Sequence, residues 1–108
     1  MHEEEARDLC RETCDALNRG DLEDVGSRLD RDLEWRDLGR EEVLAVVGER
    51  LAQGYFPIAI MRLDVLRDRV VCTVRGQDGA HRTFSAALRE GKWTQVKDEA
   101  SHDRAVER

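Results

Sequence analysis

What this chain has little of narrows its function first. Its 108 residues include one proline, one tyrosine, three histidines and three cysteines, and aromatic residues make up 5%. No proline-rich, repetitive or low-complexity stretch divides it, so residues 1–108 read as one domain with a polar tail from about 100. No apolar run approaches the ~18 residues that span a bilayer. The acidic start Met1-His2-Glu3-Glu4-Glu5 lacks the apolar core of a secretory signal. The expectation is a cytoplasmic protein with no membrane partner.

An excess of positive charge is missing too. The net charge is −6, and phosphate backbones call for a basic surface, so nucleic acid is not an expected partner. Lysine is scarce: of the 18 basic residues, only Lys92 and Lys97 are not arginine. That skew fits a GC-rich, bacterial coding sequence better than a function.

Cysteine and histidine are too few for several chemistries. An odd cysteine count without a secretory signal speaks against a disulfide framework. Cys10 and Cys14, four apart, are neighbours on a predicted helix; with Cys72 they are expected to be buried, inert thiols. His2, His81 and His102 have no companion at metal-ligand spacing. GxSxG, P-loop, dinucleotide and CxxC patterns are absent, so nucleotide cofactors and covalent serine or cysteine catalysis have no support. No metal and no cofactor is expected.

What is present is patterned for a globular α+β chain. Residues 3–19 place apolar or small side chains at 6, 9, 10, 13, 14, 16 and 17, which predicts a helix. Gly20 supplies its left-handed stop, and Asp21 caps a short second helix with Leu22, Val25 and Leu29 on one face. Residues 33–38 read as a brief strand. Residues 40–53 read as a third helix, with Glu41 and Glu42 matching its dipole and Val43, Leu44, Val47 and Leu51 on its buried stripe. Four strands follow at about 58–66, 69–76, 81–90 and 92–98, with tight turns that imply an antiparallel meander. In the first of these, Met61, Leu63 and Val65 alternate with Ile58 and Ile60, so both faces are apolar. That predicts a symmetric homodimer built sheet to sheet.

Three segments occur in a telling order: residues 16–22 (ALNRGDL), 33–37 (LEWRD) and 39–44 (GREEVL), all before the β-patterned remainder. This opening resembles the NTF2-like superfamily, in particular its SnoaL-like and ketosteroid-isomerase-like branch, and the likeness runs from Ala6 to about Ser101. The resemblance implies an NTF2-like (cystatin-like) cone: three N-terminal helices packed on a curved antiparallel sheet, around a pocket for a small apolar ligand.

Counted forward from the ALNRGDL turn, the family's catalytic base falls on Asp37. The family's oxyanion tyrosine falls on Thr13, and its second oxyanion donor near Phe84. The base position is filled and both donor positions are changed. Losing one such donor can cost ~3 kcal/mol of transition-state stabilisation, so steroid isomerisation of the family kind is not expected. What the resemblance leaves is a small-molecule-binding pocket protein. Its chemistry would be that of a cofactor-independent isomerase, cyclase, dehydratase or hydrolase with Asp37 as general base. Thr13 or Arg62 would be the polar partner, and Trp35, Tyr55 and Phe84 would line the pocket. The alternative is a non-catalytic dimerisation or partner-docking module.

Plainer roles stand beside these. Asp37, two residues before Gly39, can cap the third helix or close an Asx-turn. Asp98 either makes a second carboxylate near Asp37 or ends its strand in solvent. Arg36 and Arg62 are candidate cavity cations, although Asp64 shares the face of Arg62 and can pair with it. Trp35 and Trp93 suit a core as well as a ligand platform.

Overall fold

The computed structural model describes residues 2–99. The tail expected from about 100, with His102, lies outside the described residues.

The first helix, α1 (Glu3–Arg19), buries Ala6, Leu9, Cys10 and Ala16, carries three glutamates in its first turn and ends on Arg19. Gly20 adopts φ 72°, which lets its N–H reach the Leu17 carbonyl while the Asp21 N–H reaches Ala16, both at 3.0 Å. Those paired bonds satisfy carbonyls that a helix end leaves orphaned. Asp21 accepts from the Asp24 N–H at 3.1 Å and so caps α2 (Leu22–Ser27), as its position predicts. Gly26 is buried where α2 meets the next helix. A Cβ there would lie 3.0 Å from an Arg40 nitrogen and 3.3 Å from Leu44, and Arg40 itself donates to the Gly26 carbonyl at 2.9 Å.

The strand expected at 33–38 forms earlier, as β1 (Leu29–Trp35). Leu29 and Leu33 supply its buried face, and the charges between them mask the alternation. It ends in a two-residue turn at Arg36-Asp37, where Arg36 takes φ 59° and Trp35 and Leu38 exchange backbone hydrogen bonds of 2.9 and 3.1 Å. The third helix, α3 (Arg40–Ala52), follows at once. Glu42 accepts from the Gly39 N–H at 2.8 Å, and Val43 is buried.

Four strands complete the chain: β2 (Ala59–Val65), β3 (Val70–Arg75), β4 (His81–Arg89) and β5 (Lys92–Asp98). They pair antiparallel in sequence, as expected. The sheet order is β1-β5-β4-β3-β2, and β1 joins the edge of β5 in parallel. A wholly antiparallel sheet is thereby corrected: α3 and β2–β4 lie between the two partners in sequence, so β1 and β5 meet by a crossover and not by a turn.

A second correction concerns β2. Ile60 pairs with Val74 and Arg62 with Thr73, so Met61 is an extra, bulged residue. The bulge resets the alternation. Ile58, Ile60, Leu63 and Val65 all pack toward the core, while Met61 stands outside at 47% exposure. The two apolar faces read from the sequence are thus one face, and the argument for a dimer built on them lapses. The core joins Ala6, Leu9 and Cys10 of α1 to Val70, Cys72 and Val74 of β3 and to Trp93 of β5.

Candidate functional site

A cavity of about 380 Å³ lies between the inner face of the sheet and helices α1 and α3. β3 contributes Val70, Cys72 and Val74, and their register partners Ala86 and Phe84 on β4 continue the wall. Leu17 of α1 and Val43, Val46 and Val47 of α3 face them. β1 and β5 end where β4 begins, so the pairing register gathers Trp35, Asp98, Phe84 and Arg82 at one end of the sheet. Tyr55 completes that rim.

Thr13 is on the wall, and its oxygen accepts from Trp93 Nε1 at 2.9 Å. Its own proton goes to the Leu9 carbonyl at 2.6 Å. A hydroxyl has one proton, so Thr13 has none left for a developing oxyanion in this arrangement. Its role here is to tie β5 to α1.

Asp37, assigned as the base, is not brought to the cavity. Its turn carries it into solvent, and it is absent from the wall. The deciding feature is the tight turn after Trp35, which aims the chain away at once. The acid that does reach the cavity is Asp98, the only carboxylate on the wall among the described residues. It accepts from Trp35 Nε1 at 3.1 Å and from Arg36 Nε at 2.6 Å. One oxygen takes the indole and the other the guanidinium, so both are already engaged.

Arg62 is also not a cavity cation. It lies on the outer face, 75% exposed, bonded to Asp64 Oδ2 at 2.8 Å. The β2 bulge places it there. Arg36 does reach the wall, as the partner of Asp98.

The aromatic residues read from the sequence come together. Trp35 meets Phe84 edge to face, with centroids 5.9 Å apart, and both line the cavity. Tyr55 lies against the Gly76 backbone and meets Phe56 edge to face at 5.2 Å. Arg82 donates to the Tyr55 hydroxyl at 3.0 Å, and its guanidinium carbon lies 4.9 Å from the ring centroid. On the other side of that guanidinium, Asp78 accepts at 3.2 Å. The Ala80 N–H first, and Arg82 second, hold the Asp78 carboxyl below its usual range.

Sequence reasoning missed Arg82, Arg50 and the convergence of Cys72 on Cys10 and Cys14. Arg82 was within reach, since strict alternation places it on the face of Phe84. The thiol convergence was not, because it depends on how α1 lies across β3. Among the described residues, no group of three or more His, Cys, Asp or Glu is placed to hold a metal ion. Nor is any described helix long and apolar enough to cross a membrane.

No protein-family model matches this sequence, and comparison with curated proteins gives no match either. Solved structures do match. A SnoaL-like protein of unknown function from Burkholderia thailandensis superposes with TM-score 0.78 at 18% identity, over 92% of this chain and 97% of that one. A proposed polyketide cyclase from Sinorhizobium meliloti superposes with TM-score 0.73 at 16% identity, over 85% and 94%. An NTF2-like protein of unknown function from Cytophaga hutchinsonii gives TM-score 0.65 at 16% identity, over 86% and 87%. Helix order, curved sheet and these superpositions agree, and the chain has the α+β fold of the SnoaL-like and NTF2-like proteins.

Proposed function

We propose that the chain is a small-molecule-binding protein that takes a compact, largely apolar ligand into the cavity beneath α1 and α3. The observation that carries this reading is the wall itself. Its volume falls in the range of small-ligand sites, it is mostly carbon, and the polar side chains Thr13 and Asp98 are already bonded within the protein. A ligand there gains from leaving water and has few hydrogen bonds to satisfy. Three free cysteines suit a reducing compartment and support a place in the cytoplasm.

The fluorescence of Trp35 and Trp93, both on the wall, reports occupancy. Titration with 4-phenyl-2-butanone is expected to perturb it saturably. Ala86→Phe, which fills the cavity from β4, is expected to weaken binding about tenfold or more, ~1.4 kcal/mol. An unaltered titration in that folded variant would place the ligand elsewhere and sink the reading.

A second reading rests on the carboxylate at the rim. Cofactor-independent proton transfer, as in an isomerase, cyclase, dehydratase or hydrolase, would use Asp98 where the resemblance pointed to Asp37. Against it stand Arg36 and Trp35, whose hydrogen bonds already occupy the two oxygens of Asp98. Deuterium uptake at the α-carbons of the same ketone separates the two readings. The binding reading expects the buffer rate, whereas the proton-transfer reading expects a faster rate that Asp98→Asn abolishes.

The homodimer belongs to this proposal on a different footing from before. The outer sheet face carries the small, half-buried residues Val71, Thr73 and Ala87, beside Thr83 and Ser85, which the chain itself already buries. Such low relief supports sheet-to-sheet packing about a two-fold axis. Light scattering at micromolar concentration is expected to return a dimer mass; a monomer mass would refute it.

A further inference from the structure

The end of α3 and the turn between β3 and β4 meet at one aromatic ring. Gly54, at φ 79°, folds the chain back after α3, and the Tyr55 N–H donates to the Arg50 carbonyl at 3.1 Å. From the turn, the Gln77 N–H donates to the Tyr55 carbonyl at 3.0 Å. Tyr55 therefore has a fixed place at the cavity rim, and two guanidiniums attend its ring. The guanidinium carbon of Arg82 lies 4.9 Å from the ring centre and that of Arg50 lies 5.8 Å from it. Both arginines line the cavity.

The charge of this wall runs against that of the chain. The chain carries −6, yet its wall sets Arg36, Arg50 and Arg82 against the single carboxylate of Asp98 among the described residues. Two of these arginines already have acidic partners. Asp98 accepts from Arg36 at 2.6 Å, and Asp78, which is off the wall, accepts from Arg82 at 3.2 Å. Arg50 has no carboxylate partner among the described residues and rests against the Tyr55 ring. One positive charge thus stands without a counter-charge at the mouth of an apolar cavity.

Building on the small-molecule reading of the cavity, we infer that its ligand is an apolar monocarboxylate, with the carboxylate at the Tyr55 rim against Arg50 and beside Arg82. The charge balance sets the class. One uncompensated cation matches one negative charge, and the guanidinium fork fits the two oxygens of a carboxylate in parallel. A protonated amine would meet Arg50 as a like charge, and both oxygens of Asp98 are engaged already. Position decides whether the charge is tolerated. Among the valines of the inner wall a carboxylate would give up its hydration at high cost. At the rim, where Arg50 is exposed, it keeps part of its water while the carbon body enters the cavity. Exposure also limits the gain, because solvent-facing ion pairs contribute modestly, and a preference of about fivefold is the expected scale.

The test titrates the full chain, by its tryptophan fluorescence, with three probes of one carbon body. They are 4-phenyl-2-butanone, 3-phenylpropanoate, which has a carboxylate oxygen in place of the ketone's methyl, and protonated 4-phenylbutan-2-amine. At ~0.01 M salt the acid is expected to bind about fivefold tighter than the ketone, and the amine more weakly than the ketone. At ~1 M salt, where the screening length falls from ~30 to ~3 Å, the advantage of the acid should shrink to about twofold or less. Arg50→Gln is expected to bring the ratio of the acid and ketone dissociation constants toward one. Arg50→Lys, which keeps the charge and loses the fork, should retain part of the preference. Saturable ketone binding in each variant shows that it is folded. Arg62→Gln removes the same charge from the outer face and should leave the ratio at its native value, which separates a local contact from the net charge of the chain. If the ketone binds and the acid binds no tighter at low salt, or if the ratio survives Arg50→Gln, the carboxylate inference is overturned and the small-molecule reading stands. An equal loss of preference in Arg62→Gln overturns it as well. Failure of all three probes to bind removes the small-molecule reading and this inference together.

Discussion

Trp93→Ala is expected to lower unfolding stability by about 3–5 kcal/mol, a large share of the 5–15 kcal/mol typical of a domain. Trp93 is 6% exposed, and it sits opposite Leu29 of β1 and Leu88 of β4. Its backbone N–H donates to the Arg28 carbonyl at 2.9 Å, and its indole N–H donates to Thr13 at 2.9 Å. One side chain thus ties three strands to α1. Its removal enlarges a cavity already present and leaves the Thr13 oxygen without its donor. Trp93→Phe keeps most of the apolar volume and loses the indole bond, and is expected to cost less than the alanine variant, with ~1 kcal/mol of its cost from that bond. Urea denaturation of both variants checks the ranking. A Trp93→Ala loss below ~1 kcal/mol would mean that the ring contributes little, and the account of the core would be wrong.

Gly76→Ala is expected to cost about 1–3 kcal/mol through overpacking and to disturb the cavity rim as well. An added Cβ would stand 2.3 Å from Tyr55 Cε1, 2.7 Å from Cζ and 2.9 Å from Cδ1, so it overlaps the body of the ring. The ring has little freedom to retreat. Phe56 meets it edge to face, Arg82 holds its hydroxyl, and the Gln77 N–H donates to the Tyr55 carbonyl at 3.0 Å. Backbone strain is not the cause, because Gly76 is not among the glycines at positive φ. A double-mutant cycle isolates the clash: in a Tyr55→Ala background, Gly76→Ala should be nearly neutral. An equal cost in both backgrounds would mean that the glycine serves the turn and not the ring.

Local features of the chain were legible because their causes are local. The Gly20 stop, the Asp21 cap and the acidic first turns of α1 and α3 follow from residues within a few positions of each other. The strands at β2 to β5 came within one or two residues of their observed bounds, since alternation and turn chemistry are short-range signals. The resemblance implied a pocket with Trp35, Tyr55 and Phe84 on it, and all three are among the residues that line the cavity.

The misplacements share a physical cause. The Met61 bulge adds one residue to a two-residue period and reverses every side chain beyond it, so Arg62 turns outward and Leu63 inward. Nothing within residues 58–66 marks it; it is decided by pairing with β3. The turn at Arg36-Asp37 has a like effect, since a non-glycine residue at φ 59° is hard to foresee and it swings Asp37 into solvent. Asp98, 62 residues from Arg36 along the chain, occupies the rim instead.

By itself the sequence determined the element order, the caps and stops of the helices, the apolar face of each regular strand and the absence of nucleotide or metal motifs. Each of these depends on side chains a few residues apart. Tertiary structure alone decided which carboxylate reaches the cavity, which arginine does not, that β1 lies parallel to β5, and that Cys72 joins Cys10 and Cys14 on the cavity wall. Those outcomes depend on pairing register and on the crossing of α1 over the sheet, where contacts join residues tens of positions apart. A one-residue change in pairing exchanges the two faces of a strand, so function here rests on a register that no local pattern encodes.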